Sequence, residues 1–285
     1  MKPTRHIQIC LLAAGLALAA LPPAARAFPP APHHLIYGLV RDQYGTPLMS
    51  TDTIVMLQTP TGTQLTTTIA PGFIPGVNYQ LDVPMDAGIT PDVYSRLALI
   101  TAAPFKMYVI TGTTTNVPIQ MTGNYSQLGQ PGKQTRVDLT LGVDANGDGL
   151  PDAWEYAFLA ALGGNYTLSD ITTNADLAHD GRNPFQEFVT GSLLFDPGNP
   201  FSVTLVGVTA DSPLLQFDVI TGRSYTVLGS ADLQNWTPMS FTIPAEGQGG
   251  ATRSFYFAGD IRTLQVQAIQ PGSGPTVRFF KVLLQ

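Results

Sequence analysis

The stretch DANGDGLPDAWE, residues Asp144–Glu155, separates two long regions of β-type sequence in this 285-residue chain. It carries four carboxylates and one asparagine within twelve residues, although only 12% of the chain is charged. These side chains fall at positions 1, 3, 5, 9 and 12 of the stretch, and Gly149 occupies position 6. Such spacing of oxygen-bearing side chains around a glycine indicates a tight turn wound around a hard cation.

The positions of this stretch, here named loop one, match the ligand pattern of an EF-hand-type calcium loop. Such a loop needs side-chain oxygens at positions 1, 3, 5 and 9, a backbone carbonyl at 7 and a bidentate glutamate at 12. Calcium demands this set because it is a hard cation that binds about six to eight oxygens. The sequence therefore predicts a first calcium site with these ligands: Asp144, Asn146, Asp148, the Leu150 carbonyl, Asp152 and Glu155.

A weaker copy, here named loop two, begins 32 residues later in DLAHDGRNPFQE, residues Asp176–Glu187. Ala178 replaces the ligand at position 3 and Pro184 occupies position 9, so two side-chain ligands are missing. The remaining ligands are Asp176, Asp180, the Arg182 carbonyl and Glu187. We expect this second site to bind calcium weakly, to recruit water, or to take oxygens from neighbours such as Asp170 and Asn174.

The alternative interpretation is that both loops are ordinary solvated acidic turns. Against it, the chain has only three glutamates, and two of them, Glu155 and Glu187, fall at position 12 of the two loops. From Asp144 to Glu187 there are eight acidic residues and one basic residue, Arg182. This negative charge lacks side-chain counterions, which favours a bound cation.

The regions on either side of the loops consist of short apolar or alternating runs separated by turn-forming residues. In the first region these runs are LIYGLV, TIVMLQ, NYQLDV, LALIT, FKMYVIT, VPIQM and RVDLTL. In the second they are FSVTLVGV, LLQFDVI, SYTVLG, RSFYFA, TLQVQAI and VRFFKVLL. Runs of this length predict strands, and for the first region an antiparallel β-sandwich.

Between the two β regions, PDAWEYAFLAAL and NPFQEFVT are the only convincing helical patterns. Each opens on proline, and Gly163 and Gly191 are the expected helix ends. The predicted fold class is therefore mainly β, with two β-sandwich-like domains joined by a short helical calcium-binding segment. The predicted boundaries are residues 28–141 for the first β domain, 142–200 for the calcium segment and 201–285 for the second.

The first 27 residues read as a secretory signal peptide. They combine the basic residues Lys2 and Arg5, the apolar run Ile7–Leu21 and a small-residue AARA end, which predicts a mature N-terminus at Phe28. The apolar run is too short for a permanent transmembrane anchor. We therefore expect a protein that is secreted, periplasmic or on the cell surface.

Composition of the expected mature chain excludes several classes. The only cysteine, Cys10, lies in the signal peptide, so no disulfide is expected. Removing the three basic residues of residues 1–27 from the total of 14 leaves 11, against 20 acidic residues, a net charge of −9. This charge disfavours nucleic acid as a partner.

No catalytic constellation is visible. The histidines of the mature chain are His33, His34 and His179; the first two lie in a Pro-rich stretch predicted to be a flexible terminus, and His179 is expected to face solvent. G-x-S-x-G, H-E-x-x-H and P-loop motifs are missing, so we expect no enzyme activity. Trp154, spaced to meet Phe158 on one helix face, and Trp236 are both expected to be core residues.

The segment from Asp144 to about Pro200 resembles the calcium repeats of dockerins and thrombospondin type 3 repeats. The likeness is carried by DGLPDAWE and NADLAHDGRNPFQEFVTGSLLFDPGNP, a form typical of exported bacterial proteins, and it implies a rigid structural calcium module. Pro151 at position 8 of loop one has no N–H, which argues against a paired sensor EF-hand.

Two further resemblances flank this segment. YGLVRDQYGTPL looks like the start of a carboxypeptidase-regulatory-like, or transthyretin-like, β-sandwich, with Gly38, Val40, Asp42, Gly45 and Pro47 carrying the likeness. FDVITGRSYTVLGSADLQNWTPM is similar to small C-terminal β modules of exported bacterial proteins. Both resemblances imply accessory modules without catalytic function.

The sequence thus favours a secreted, non-catalytic, calcium-binding scaffold or adhesion-like protein. Its expected partners are calcium ions and an extracellular glycan or cell-surface protein. Two alternatives stay open: a carbohydrate-binding accessory protein, and a polysaccharide-acting hydrolase with an unrecognised site. An exposed aromatic row would favour the first of these, and a deep pocket with a carboxylate pair the second.

Overall fold

The computed structural model describes residues 30–89, 92–172, 175–179, 181–191, 201–209, 212–247, 249–272 and 276–285. The predicted signal peptide and the expected N-terminus Phe28 lie outside these residues, as do Asn174 and Asp180. The described chain is mainly β, with two α-helices between two β regions. Within the same residues, no helix has the length and apolar character needed to cross a membrane.

The N-terminal β region contains the first ten strands. They are β1 (Ala31–Gly38), β2 (Val40–Arg41), β3 (Ile54–Gln58), β4 (Gln64–Thr68), β5 (Tyr79–Met85), β6 (Lys106–Thr111), β7 (Thr114–Asn116), β8 (Ile119–Gln120), β9 (Gln134–Arg136) and β10 (Leu139–Thr140). They form three short sheets with the orders β5-β1-β9, β2-β10-β8 and β4-β3-β6-β7. One apolar cluster joins these sheets, and it includes Ile36, Leu57, Leu81, Val109 and Leu139.

The prediction of a purely antiparallel region is wrong, because β1 pairs with β9, and β2 with β10, in parallel. The chain passes from the first sheet to the second between β1 and β2, and it does so again between β9 and β10, which lie beside them. Gly38 lies at the first of these crossings: a Cβ there would lie 2.2 Å from the Val137 carbonyl oxygen. Close backbone approach thus requires glycine where the chain passes from one sheet to the next.

The prediction of a flexible terminus at His33 and His34 is also wrong. Both histidines lie in β1, where strand alternation sends them to opposite faces. His34 is buried, with Nε2 2.8 Å from Thr135 Oγ1, and its Nδ1 accepts from the Gly129 N–H. His33 Nδ1 lies 2.6 Å from a carboxylate oxygen of Asp82 on β5. Pairing with β5 orders a segment whose prolines suggested a loop.

The run LALIT is the other clear strand error. It forms no strand, and only Leu99 makes an isolated bridge, to Met85. Leu97 and Ile100 are exposed, whereas Ala98 and Leu99 between them are buried and Leu99 belongs to the N-terminal cluster, so the run reaches the core without forming a strand. The runs VPIQM and RVDLTL are only partly extended, because β8, β9 and β10 have two or three residues each.

The segment between the β regions contains helices α1 (Asp152–Leu162) and α2 (Pro184–Thr190), and a 3₁₀ turn lies between them at Leu168–Asp170. Both helices and their ends at Gly163 and Gly191 are as predicted. Gly191 has a φ of 68°, a left-handed conformation that favours glycine. The helices bury an apolar cluster, here named the middle cluster, of Leu150, Trp154, Phe158, Ile171 and Phe188.

The C-terminal β region contains eight strands and the 3₁₀ turn Pro244–Glu246. The strands are β11 (Thr204–Thr209), β12 (Ser212–Val219), β13 (Ser224–Ser230), β14 (Thr237–Pro238), β15 (Phe241–Thr242), β16 (Tyr256–Phe257), β17 (Arg262–Ala268) and β18 (Phe279–Leu284). One sheet has the order β11-β12-β17-β15, and the other places β13 between β18 and the short strands β14 and β16. Their inner faces enclose a second cluster that includes Phe217, Tyr225, Phe241, Leu264 and Val266.

The two tryptophans differ. Trp154 is a core residue as predicted, because its ring stacks on Phe158 with centroids 4.8 Å apart. The prediction for Trp236 is wrong, because its indole is only half-buried and lies outside the C-terminal cluster. Its Nε1 donates to the Leu233 carbonyl, and Lys281 Nζ lies 4.2 Å from the ring centroid. This tryptophan closes a surface turn over β18 through a cation–π contact.

Candidate metal centre

Loop one is a tight turn organised by its own carboxylates. Asp144, at position 1, accepts hydrogen bonds from the N–H groups of Gly147 (2.7 Å) and Gly149 (3.0 Å). Asp152, at position 9, accepts from the N–H of Ala145 at 2.8 Å. Position 6 has a φ of 95°, so Gly149 supplies the backbone conformation that the turn needs. These bonds fold the first and last thirds of the loop towards each other.

The ligands at positions 3, 5 and 12 lie together. The amide nitrogen of Asn146 donates to Asp148 Oδ2 at 3.2 Å and to Glu155 Oε1 at 3.1 Å. Asp148 Oδ1 accepts from the N–H of Leu150 at 2.8 Å. Three of the predicted side-chain ligands are thus linked through one amide. The partly positive N–H groups of the Asn146 amide lie between the carboxylates of Asp148 and Glu155.

Glu155 is the most unusual residue of the loop. It is 0% exposed, and its Oε2 has no hydrogen-bond partner among the described residues. Burial, and secondarily the negative charge of Asp148, raises its pKa to about 7. An unpartnered buried carboxylate oxygen is costly, and a cation removes that cost by supplying both a partner and a countercharge. This residue therefore fits a metal ligand.

Helix α1 fixes the position of Glu155. The helix begins at Asp152, and Pro151 precedes it as the N-cap residue with extended backbone angles. Trp154 and Phe158 anchor one side of the helix in the middle cluster, and Phe188 of α2 meets the Trp154 ring edge-on at 5.6 Å. The glutamate is thus carried into the interior next to a packed aromatic group, which explains its burial.

Loop two repeats part of this geometry. The N–H of Gly181 donates to Asp176 Oδ2 at 3.0 Å, the same bond between positions 6 and 1 that joins Gly149 to Asp144 in loop one. Glu187, at position 12, is 1% exposed and lies in the first turn of α2. The side chain of Arg182 extends away from the loop and donates to the Phe201 carbonyl at 2.9 Å. Asp180 lies outside the described residues.

Ala178, which replaces the ligand at position 3 of loop two, has a packing role instead. Ala178 packs against the middle apolar cluster, as does its neighbour Leu177. His179 is exposed, as predicted, with a φ of 56°.

Asp170, which was expected to help loop two bind calcium, is engaged elsewhere. Its Oδ2 accepts hydrogen bonds from the N–H of Thr167 at 2.7 Å and from the Thr167 hydroxyl at 2.9 Å. These bonds lower the pKa of Asp170.

The two loops supply the chemistry that a hard cation needs, but their ligands do not all converge. Within the described residues, no three His, Cys, Asp or Glu side chains are grouped closely enough to form a metal centre. Asp144 and Asp152 of loop one bond to backbone N–H groups, while Asp148 and Glu155 face the Asn146 amide. The donor types and the buried oxygen of Glu155 fit calcium, which would be held by the loop-one residues predicted above.

A residue that the sequence analysis missed joins the loops to both β regions. Arg223, between β12 and β13, is 3% exposed; its Nε donates to the Val189 carbonyl at 3.0 Å and its Nη2 to the Gly45 carbonyl at 3.2 Å. Burial lowers the pKa of this guanidinium. A Cβ at Gly191 would lie 2.4 Å from Arg223 Nη2, so the glycine that ends α2 also admits the arginine. No local pattern in TGRSYTV marks this role.

The other candidate catalytic groups are accounted for by structural contacts. Glu246, the remaining glutamate, forms an ion pair with Arg253 through both carboxylate oxygens, at 2.8 and 2.9 Å. His33 and His34 belong to β1, and their partners are Asp82, Thr135 and Gly129. These contacts stabilise the fold locally.

No family model, curated protein or solved structure matches the chain. The resemblances to dockerins, thrombospondin type 3 repeats and transthyretin-like domains therefore stay predictions from the sequence.

Proposed function

We propose that this chain is an exported, non-catalytic, calcium-binding scaffold or adhesion-like protein. In this proposal, loop one is the principal calcium site, and the middle segment joins two β-sandwich-like domains. The observation that carries it is Glu155: a fully buried carboxylate with an unpartnered oxygen, at the position where a calcium loop needs a bidentate ligand.

The contacts around the middle segment support a role as a connector. Arg223 of the C-terminal β region bonds to Val189 of α2 and to Gly45 of the N-terminal β region. Gly45 itself approaches Phe188, since a Cβ there would lie 2.6 Å from the Phe188 carbonyl oxygen. Helix α1, which carries Glu155, packs on α2 through the Trp154 and Phe188 rings, so a stiffer loop one would also restrain the helix that contacts both β regions. Calcium would therefore stabilise the arrangement of the regions as well as the loops.

Calorimetry of the chain from Phe28 onward tests the proposal. We expect calcium to raise the melting temperature, because binding to the folded state alone stabilises it by roughly 2.7 kcal/mol at a hundredfold excess over Kd. EDTA should reverse the change, and the same concentration of magnesium should produce a smaller one. A melting temperature that does not respond to calcium would refute the calcium site. Sequencing the N-terminus of secreted material tests the export prediction.

A further inference from the structure

Two open cavities adjoin on the outer face of the sheet that contains β6. One, of about 780 Å³, extends from this sheet to loop one and is lined by Asp144 and Asp148 at that end. The other, of about 610 Å³, extends to the turn after β3. Both are lined by Phe105, Lys106, Tyr108 and Ser126. They therefore form one surface depression, here named the loop-one groove.

Strand alternation places Tyr108 at the centre of this groove. Met107 and Val109 of β6 are buried in the N-terminal cluster, so Lys106 and Tyr108 lie on the opposite face of the sheet. Tyr108 is half-buried and lines both cavities. A tyrosine ring fixed on a strand offers an apolar face and a polar hydroxyl to a ligand.

The amide of Gln120 bonds to the backbone of Tyr125, but three other side-chain amides of the groove are not used by the protein. The side-chain amides of Gln58, Asn124 and Gln127 line it, and none makes a hydrogen bond within the described residues. Each amide has a donor and an acceptor side by side, which suits pairs of neighbouring hydroxyl groups. Among the described residues, Lys106 is the only basic one that lines either cavity.

These features disfavour other classes of ligand. One lysine beside the carboxylates of Asp144 and Asp148 does not suit a polyanion such as nucleic acid. An extended peptide cannot add a strand at β6, because β3 and β7 already flank it. A neutral sugar chain fits, since its C–H faces pack on aromatic rings and its hydroxyls pair with amides.

We propose that the loop-one groove binds a neutral polysaccharide chain, with Tyr108 as the stacking platform. Binding is calcium-dependent, because Asp144, Gly147, Asp148 and Gly149 of loop one form one wall of the groove. This dependence rests on the proposed calcium site, whereas the binding itself rests on the groove. The two can therefore fail separately.

Affinity gel electrophoresis against mixed-linkage β-glucan, laminarin, xylan, galactomannan and dextran tests the proposal, in calcium and in EDTA. We expect at least one polysaccharide to retard the wild type in calcium, and Tyr108→Ala to weaken retardation about tenfold. Tyr156→Ala is the matched control: Tyr156 is 60% exposed and lines neither cavity, so retardation should be unchanged. Circular dichroism and calcium-dependent melting of each variant establish that it folds.

The outcomes separate the two proposals. Retardation that depends on Tyr108 but not on calcium supports the groove and removes its link to loop one. A calcium-dependent melting temperature without retardation by any of the five polysaccharides overturns the groove and leaves the calcium site standing. Equal retardation of Tyr108→Ala and wild type would also overturn it, because the sugar would then bind elsewhere.

Discussion

Loop one and loop two share a spacing but are held in different ways. Loop one has four carboxylates and oxygen-bearing side chains at positions 1, 3, 5, 9 and 12. Loop two has an alanine at position 3 that packs against the apolar cluster, and its helix α2 is anchored at Val189 by Arg223. We therefore expect loop one to respond more strongly to calcium than loop two, which packing and the buried guanidinium of Arg223 also hold in place.

The largest expected effect comes from Glu155→Gln. The substitution keeps the shape of the side chain but removes the negative charge and the bidentate carboxylate. It should abolish most of the calcium-dependent stabilisation, which for the wild type is roughly 2.7 kcal/mol at a hundredfold excess over Kd. Calorimetry in EDTA and in millimolar calcium measures this loss. A full calcium response in the variant would show that loop one is not the principal site.

The next effect tests the anchoring of loop two. Arg223→Leu leaves the carbonyls of Gly45 and Val189 without their donor, and should cost about 1–2 kcal/mol in EDTA and in calcium alike. Urea unfolding under both conditions measures it, with the exposed Arg278→Leu as control. A loss seen only in calcium would mean that the arginine acts through the metal sites.

The pH dependence of the metal-free protein should reveal Glu155. Its folded-state pKa is about 7, above the ordinary value of 4.5. The neutral form therefore contributes stability that is fully present below 4.5 and is lost as the pH rises through 7. In EDTA, wild type should gain about 1–2 kcal/mol relative to Glu155→Gln between about pH 7.5 and about pH 5.

In calcium the trend should reverse, because the metal requires the ionised carboxylate. Urea unfolding across this pH range, with both proteins in EDTA and in calcium, measures both signs. A difference between the two proteins that does not change with pH would contradict the raised pKa.

Ala178→Asp restores the ligand missing from position 3 of loop two. In EDTA the variant should lose about 1 kcal/mol, because a carboxylate replaces a methyl group against the apolar cluster. Its calcium-dependent rise in melting temperature should exceed that of the wild type. Ala178→Asn, which adds the oxygen without the charge, is the matched control and should show a smaller gain. An unchanged calcium response would mean that loop two is not a metal site.

The smallest effect should come from Glu187→Gln. Loop two has lost two side-chain ligands, so its bidentate residue should contribute less than about 1 kcal/mol of calcium-dependent stabilisation. Comparing the calcium-dependent stabilisation lost in this variant with that lost in Glu155→Gln, in the same buffers, shows which site contributes more. Equal losses would refute the ranking that the ligand counts predict.

The features that the sequence determined are local. Loop one has its turn, its position-6 glycine and its helix because each depends on residues within about one turn of one another. The helix ends at Gly163 and Gly191 follow from the same short-range rules. The alternating run TLQVQAI also predicted its strand, since period-two burial is set by the strand itself. The continuous apolar run TIVMLQ predicted a strand as well, and its three central residues are all buried.

Tertiary structure alone decided what depends on distant partners. The parallel pairing of β1 with β9 joins segments about a hundred residues apart, and it orders His34 through Thr135. Trp236 lies on the surface, where Lys281 of β18, 45 residues further along the chain, contacts its ring. Arg223 is buried because carbonyls from two other parts of the chain accept its hydrogen bonds. Periodicity and spacing report a residue's near neighbours, whereas burial of a charge depends on which distant backbone groups the fold brings to it.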